Sequence, residues 1–156
     1  MNETVIKLII GCIFGIFGKM IYDKIQDDKN KIKTINLLKI EIKSNLESLQ
    51  KLLSEITYFN KNSDKNYLDR YSFEEVAIYI EKSCKKELLN KCLDKLPLLG
   101  SEKIEIIYNF YNAFEDTAKF MREYVRFGGN ISVHFEENVL EGLIHQGEEA
   151  LSAINK

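Results

Sequence analysis

Lys119, Arg122 and Arg126 recur three and four residues apart, with Tyr124 and Phe127 beside them. Cations at those spacings share one helix face, where guanidinium groups can hold an oxyanion and aromatic rings can stack on bases. The five residues therefore mark a candidate site for an anionic ligand, including a short single-stranded DNA oligomer. Cations in the last turns of a helix also complement its dipole, which gives the same pattern a purely structural explanation. Lys82, Lys85 and Lys86 form a second basic cluster, read more simply as a solvated face.

Catalytic chemistry is harder to find. His134 stands next to Glu136 and Glu137, a set that could move protons or hold a metal only if further ligands converged from elsewhere. His145 completes no H-E-x-x-H or related spacing, and no phosphate loop, dinucleotide fingerprint or nucleophile elbow occurs. Cys12, Cys84 and Cys92 suit neither a disulfide framework nor a zinc site, and read as reduced, packed thiols. The expectation is a protein that is not an enzyme and needs no metal or cofactor.

The elements that position these residues begin with an apolar stretch, Thr4 to Tyr22. As a helix it would measure roughly 28 Å, close to the ~30 Å hydrocarbon thickness of a bilayer, provided that Lys7 and Lys19 snorkel to opposite headgroup layers. A secretory signal peptide lacks support because no A-x-A-like cleavage site follows. A buried core helix is a rival that two internal lysines do not exclude, whereas an interfacial helix would need a wider polar face. The expectation is a transmembrane helix over residues 1–22 and a basic juxtamembrane border over 23–33. Lys24, Lys29, Lys31 and Lys33 follow the stretch, so the positive-inside rule places the C-terminal part on the cytoplasmic side of the cell inner membrane. Thr4, Lys7, Gly11, Gly15, Gly18 and Tyr22 fall within an arc of about 80°, and Gly11 with Gly15 has the G-x-x-x-G spacing of closely packed helices.

Residues 34–156 are expected to form one helical domain. Ile21 to Phe59 lacks proline and glycine, and steps of four and three pick out Ile21, Ile25, Asp28, Ile32, Ile35, Lys39, Ile42, Leu46, Leu49, Leu53 and Ile56. That is the seam of a coiled coil or bundle helix, interrupted at Asp28 and Lys39 and widened by Leu37, Leu38, Ile40 and Leu52. The polar run Asn60 to Arg70 predicts a loop, and Ser72 with Glu75 predicts a capping box. A short apolar pattern leads to Pro97. Ile104, Ile107, Tyr111, Phe114, Ala118, Met121 and Val125 predict a core helix over 101–127, closed by Gly128 and Gly129. Residues 132–154 predict a closing helix, with Gly142 and Gly147 weakening its continuity. No stretch alternates like a strand for long, so the fold class is all-α.

The chain of 156 residues has a formal charge of −2. Six lysines and four acids fall before Thr34, so the domain beyond it is net acidic, which disfavours a general nucleic-acid binder. The layout of one N-terminal span, a basic border, a long apolar-seamed helix and a small helical domain resembles compact membrane effectors of bacterial antiphage systems, most of all the channel-forming subunit of the Hailong type. The resemblance implies an antiviral defence effector: a homotetrameric ion channel held in check by short DNA oligomers from a partner nucleotidyltransferase. On the residues themselves the expectation is a homo-oligomer in the lipid bilayer that forms a gated pore. Gly11, Gly15 and Gly18 would line or pack its passage, and Lys7 and Lys19 would form charged rings at its ends. The competing expectation is a tethered helical binding or scaffold module without pore activity.

Overall fold

The computed structural model describes residues 3–62, 72–126 and 135–156, and their side chains apart from those of 3–11, 59–60, 62, 124–126 and 135–136. These residues form five α-helices: α1 (Glu3–Asn62), α2 (Phe73–Ser83), α3 (Glu87–Lys91), α4 (Ser101–Arg126) and α5 (Phe135–Asn155), with a 3-10 helix at Leu96–Leu99. Among the described residues there is no strand, in agreement with the all-α expectation. The expected loop over 60–70 and the glycine pair Gly128 and Gly129 lie largely or wholly outside the described residues.

Local chemistry explains the boundaries. Ser72 caps α2 with a reciprocal capping box: its backbone N–H donates to Glu75 Oε2 at 2.7 Å, while the Glu75 N–H donates to Ser72 Oγ at 3.2 Å. Pro97 sits inside the 3-10 helix, where its missing N–H costs no α-helical bond. Gly100 follows with φ of +90°, a conformation that glycine adopts without a Cβ penalty, and α4 starts at the next residue.

The core is shared by all the helices. α1 contributes Leu38, Ile42, Leu46, Leu49, Leu52 and Ile56; α2 contributes Val76, Ala77 and Ile80; α4 contributes Ile107, Phe110, Tyr111, Phe114 and Met121; α5 contributes Leu140, Leu143, Ala150 and Ile154. α1 packs against α5 and reaches α2, α3 and the 3-10 helix, while α4 lies against α2 and α5. Phe110, Tyr111 and Phe114 meet edge to face, with ring centroids from 4.7 to 6.0 Å apart, the arrangement that ring quadrupoles favour.

α1 has two unlike parts. Among its described side chains Thr34 is the first buried one, and from Cys12 to Lys33 every residue except the half-buried Asn30 is exposed. The seam thus enters the core at Ile35, and Ile21, Ile25 and Ile32 stand in the open. Ile40, read as widening the seam, is 61% exposed.

The expected transmembrane helix is overturned, and with it the inner-membrane location, the bilayer as partner and the ion channel built on the span: among the described residues no helix is long and apolar enough to cross a membrane. Lys19 stands among the described side chains of the Thr4 to Tyr22 stretch, and a lysine is costly inside the hydrocarbon. Asp23 and Lys24 follow at once. Lys7 and Gly11 lie outside the described side chains. Lys19 is exposed, and a Cβ placed on Gly15 or Gly18 would meet nothing within 4 Å, so within one chain these glycines pack against no other element.

α5 runs without a break through both of its glycines. Gly147 has a positive role, because a Cβ there would come within 2.6 Å of both Leu46 Cδ2 and Phe110 Cε2. It lets α5 lie directly on α1 and α4. Gly142 faces open space. Gly147→Ala should therefore cost about 1–3 kcal/mol through overpacking, while Gly142→Ala should gain about 0.5–1 kcal/mol from helix propensity. Urea unfolding of the two variants checks the opposite signs.

Candidate ligand-binding cavity

A cavity of about 530 Å³ opens between the C-terminal end of α2, the α2–α3 connection and α4. Ile80, Cys84 and Phe114 supply its apolar lining, and Asn90 adds an amide. Around them Lys85, Lys86, Lys119 and Arg122 are matched in number by Glu81, Glu87, Glu115 and Glu123. Two ion pairs join the sides: Arg122 Nη2 donates to Glu81 Oε2, and Lys86 Nζ to Glu115 Oε1, each at 2.6 Å. Lys119 lies 3.9 Å from Glu123 on its own helix.

Two of the five residues singled out for anion binding, Lys119 and Arg122, thus stand on this cavity. Tyr124 and Arg126 belong to α4 but their side chains are not described, and Phe127 lies outside the described residues. The basic cluster read as a solvated face divides: Lys85 and Lys86 line the cavity, and Lys82 offers its carbonyl to Lys85 Nζ at 2.7 Å. The acidic residues that balance the site were not foreseen. Glu115 is four residues before Lys119, a visible spacing, but the partnership of Glu81 with Arg122 joins residues that only the folded chain brings together.

Behind the cavity wall, two buried polar side chains of α1 fasten the α2–α3 connection. Glu41, 4% exposed, accepts the Leu88 N–H at 2.6 Å, the Leu89 N–H at 3.0 Å and the Tyr111 hydroxyl at 2.8 Å. Asn45, fully buried, donates to the Lys85 carbonyl at 2.9 Å and accepts the Lys85 N–H at 2.8 Å. One connection therefore carries side chains on the cavity and backbone bonds to α1. A sequence signal for both did exist: at 100° per residue, Thr34, Glu41 and Asn45 fall on or beside the arc of Leu38, Leu49 and Leu52.

The thiols and the phenol here are held in their neutral forms. Burial pushes Cys84 up to about 12, and burial followed by the nearby Glu41 charge raises Cys92. Burial and then the bond to Glu41 raise Tyr111 well above the ordinary phenol range. Cys84 is consequently a thiol at neutral pH, not an activated nucleophile. Among the described residues no group of side chains could hold a metal ion. His145 is paired with Glu149 at 3.6 Å, and His134 lies outside the described residues. The cavity's apolar lining and balanced charges suit it to hold a small ligand. Compared with known protein families, curated proteins and solved structures, the chain matches none.

The thiol chemistry yields two expectations. Maleimide should modify the exposed Cys12 far faster than Cys84 or the buried Cys92 in the folded chain, as peptide mapping by mass spectrometry would show. Unfolded Cys84 ionises near 9.0, whereas the folded thiol keeps its proton to about 12. Its contribution to stability is complete below pH 9 and is lost as pH rises from there to about 12. The fall in urea midpoint from pH 8 to pH 10 should accordingly be smaller in Cys84→Ala than in the native chain.

Proposed function

We propose that the chain is a helical assembly and binding module: copies associate through the projecting part of α1, and the folded domain presents the cavity. The observation that carries this reading is the exposure of Ile13, Phe14, Ile16, Phe17, Met20, Ile21 and Ile25, between 46% and 73%, on one uninterrupted helix. These side chains span an arc of about 180° on a helix of 3.6 residues per turn. A monomer rarely leaves so large an apolar face in water.

A second copy is the occupant that fits. The exposed seam Ile21, Ile25, Asp28, Ile32 continues without a change of register into the seam buried inside the domain. Gly15 and Gly18 leave room for a neighbouring helix to approach closely. Asp28 is the one charged seam position outside the domain, a device that limits affinity and fixes register at some cost in stability.

Sedimentation equilibrium of the full chain without detergent tests the reading. The expected mass is a multiple of 18.2 kDa; the double variant Phe17→Glu with Ile21→Glu should shift the particle to one chain, and Asp28→Ile should tighten association by about tenfold or more. A single-chain mass at all concentrations overturns the proposal. So does capture of single chains by phospholipid vesicles in place of self-association.

A further inference from the structure

We infer that the cavity between α2, the α2–α3 connection and α4 is a binding site for a small apolar zwitterion, of the size and chemistry of an apolar amino acid. This goes beyond the assembly reading and stands without it, because every residue concerned lies in the folded domain.

The volume of about 530 Å³ is within the range of small-molecule sites. The half-buried Cys84, the edge of Phe114 and the alkyl stems of the lining lysines give an apolar surface for the body of a ligand, with Ile80 buried beneath. The charges select its polar part. Arg122 with Glu81, and Lys86 with Glu115, join the cavity's sides as ion pairs between elements that are far apart in sequence. Arg122 and Glu81 are 46% and 43% exposed, so their pair is weak and opens readily to an incoming ligand. An anion that takes Arg122 leaves the Glu81 carboxylate without its cation; a cation that takes Glu81 leaves Arg122 without its anion. A zwitterion replaces both partners at once, its carboxylate on Arg122 and its ammonium on Glu81. The same balance of four cations and four carboxylates disfavours a polyanion such as an oligonucleotide, whose phosphates would meet the glutamates at close range.

Phenylalanine is the probe, with N-acetylphenylalanine as the anion-only control and phenylalanine amide as the cation-only control. All three keep the ring. Titration of the isotope-labelled full chain, followed by amide chemical shifts, should give a dissociation constant for phenylalanine about tenfold or more below those of both controls. The shifts should centre on Ile80, Cys84, Asn90 and Phe114. Arg122→Gln should weaken phenylalanine to the level of the amide, and Glu81→Gln to the level of the N-acetyl compound. Both positions are at the rim, and circular dichroism verifies that each variant is folded. Absence of phenylalanine binding, equal binding of the three compounds, shifts centred elsewhere, or folded variants that bind like the native chain would each overturn the inference.

Discussion

The folded domain depends on two polar side chains placed where apolar ones would be expected. Glu41 and Asn45 lie one turn apart on α1, facing the core, and between them they bond the backbone of Lys85, Leu88 and Leu89 and the hydroxyl of Tyr111. A buried carboxylate is tolerated only when its lone pairs are occupied, and three donors occupy those of Glu41. Among the described residues no buried side-chain nitrogen or oxygen is left without a partner. The connection between α2 and α3 has too little regular structure to satisfy its own backbone, so α1 does it instead. That bond set holds the short α3 helix against α1 and keeps Lys85 and Lys86 at the cavity edge.

The second constraint is the change of surroundings along α1. A single pattern of three- and four-residue steps continues through Ile32 and Ile35, yet the described side chains from Cys12 to Lys33 are exposed apart from the half-buried Asn30, and the buried seam begins at Thr34. Inside the domain the seam has α5, the 3-10 helix and the α2–α3 region to meet. Outside it, Ile21, Ile25 and Ile32 are exposed. Hydrophobic burial on one side and undischarged apolar surface on the other are the same physical tendency at two stages, which links the fold to the proposed assembly.

Much of this architecture was legible because local rules sufficed. The Ser72–Glu75 box, the unbroken three-and-four periodicity of α4 and the absence of proline and glycine from Ile21 to Phe59 each determined an element without help from the rest of the chain. The glycines of α5 misled because propensity speaks only for an isolated helix: Gly147 is present to let Leu46 and Phe110 approach. The N-terminal stretch misled in another way. Its length and apolar character suit a span, but a bundle of helices can use the same residues, and hydropathy alone does not separate the two. The cavity was legible in part. Lys119 and Arg122 stood out by spacing on one helix, whereas the pairing of Arg122 with Glu81, that of Lys86 with Glu115 and the Glu41 and Asn45 fastening are long-range relations, between residues from 29 to 70 positions apart, that periodicity cannot express.

The fastening of the α2–α3 connection to α1 can be observed directly by amide hydrogen exchange in the full-length chain. The backbone amides of Lys85, Leu88 and Leu89 should exchange as slowly as those in the middle of α4, and Glu41→Gln, which replaces one acceptor oxygen by a donor, should release Leu88 or Leu89 while Lys85 stays protected by Asn45. Exchange of all three amides at loop rates in the native chain would contradict the account.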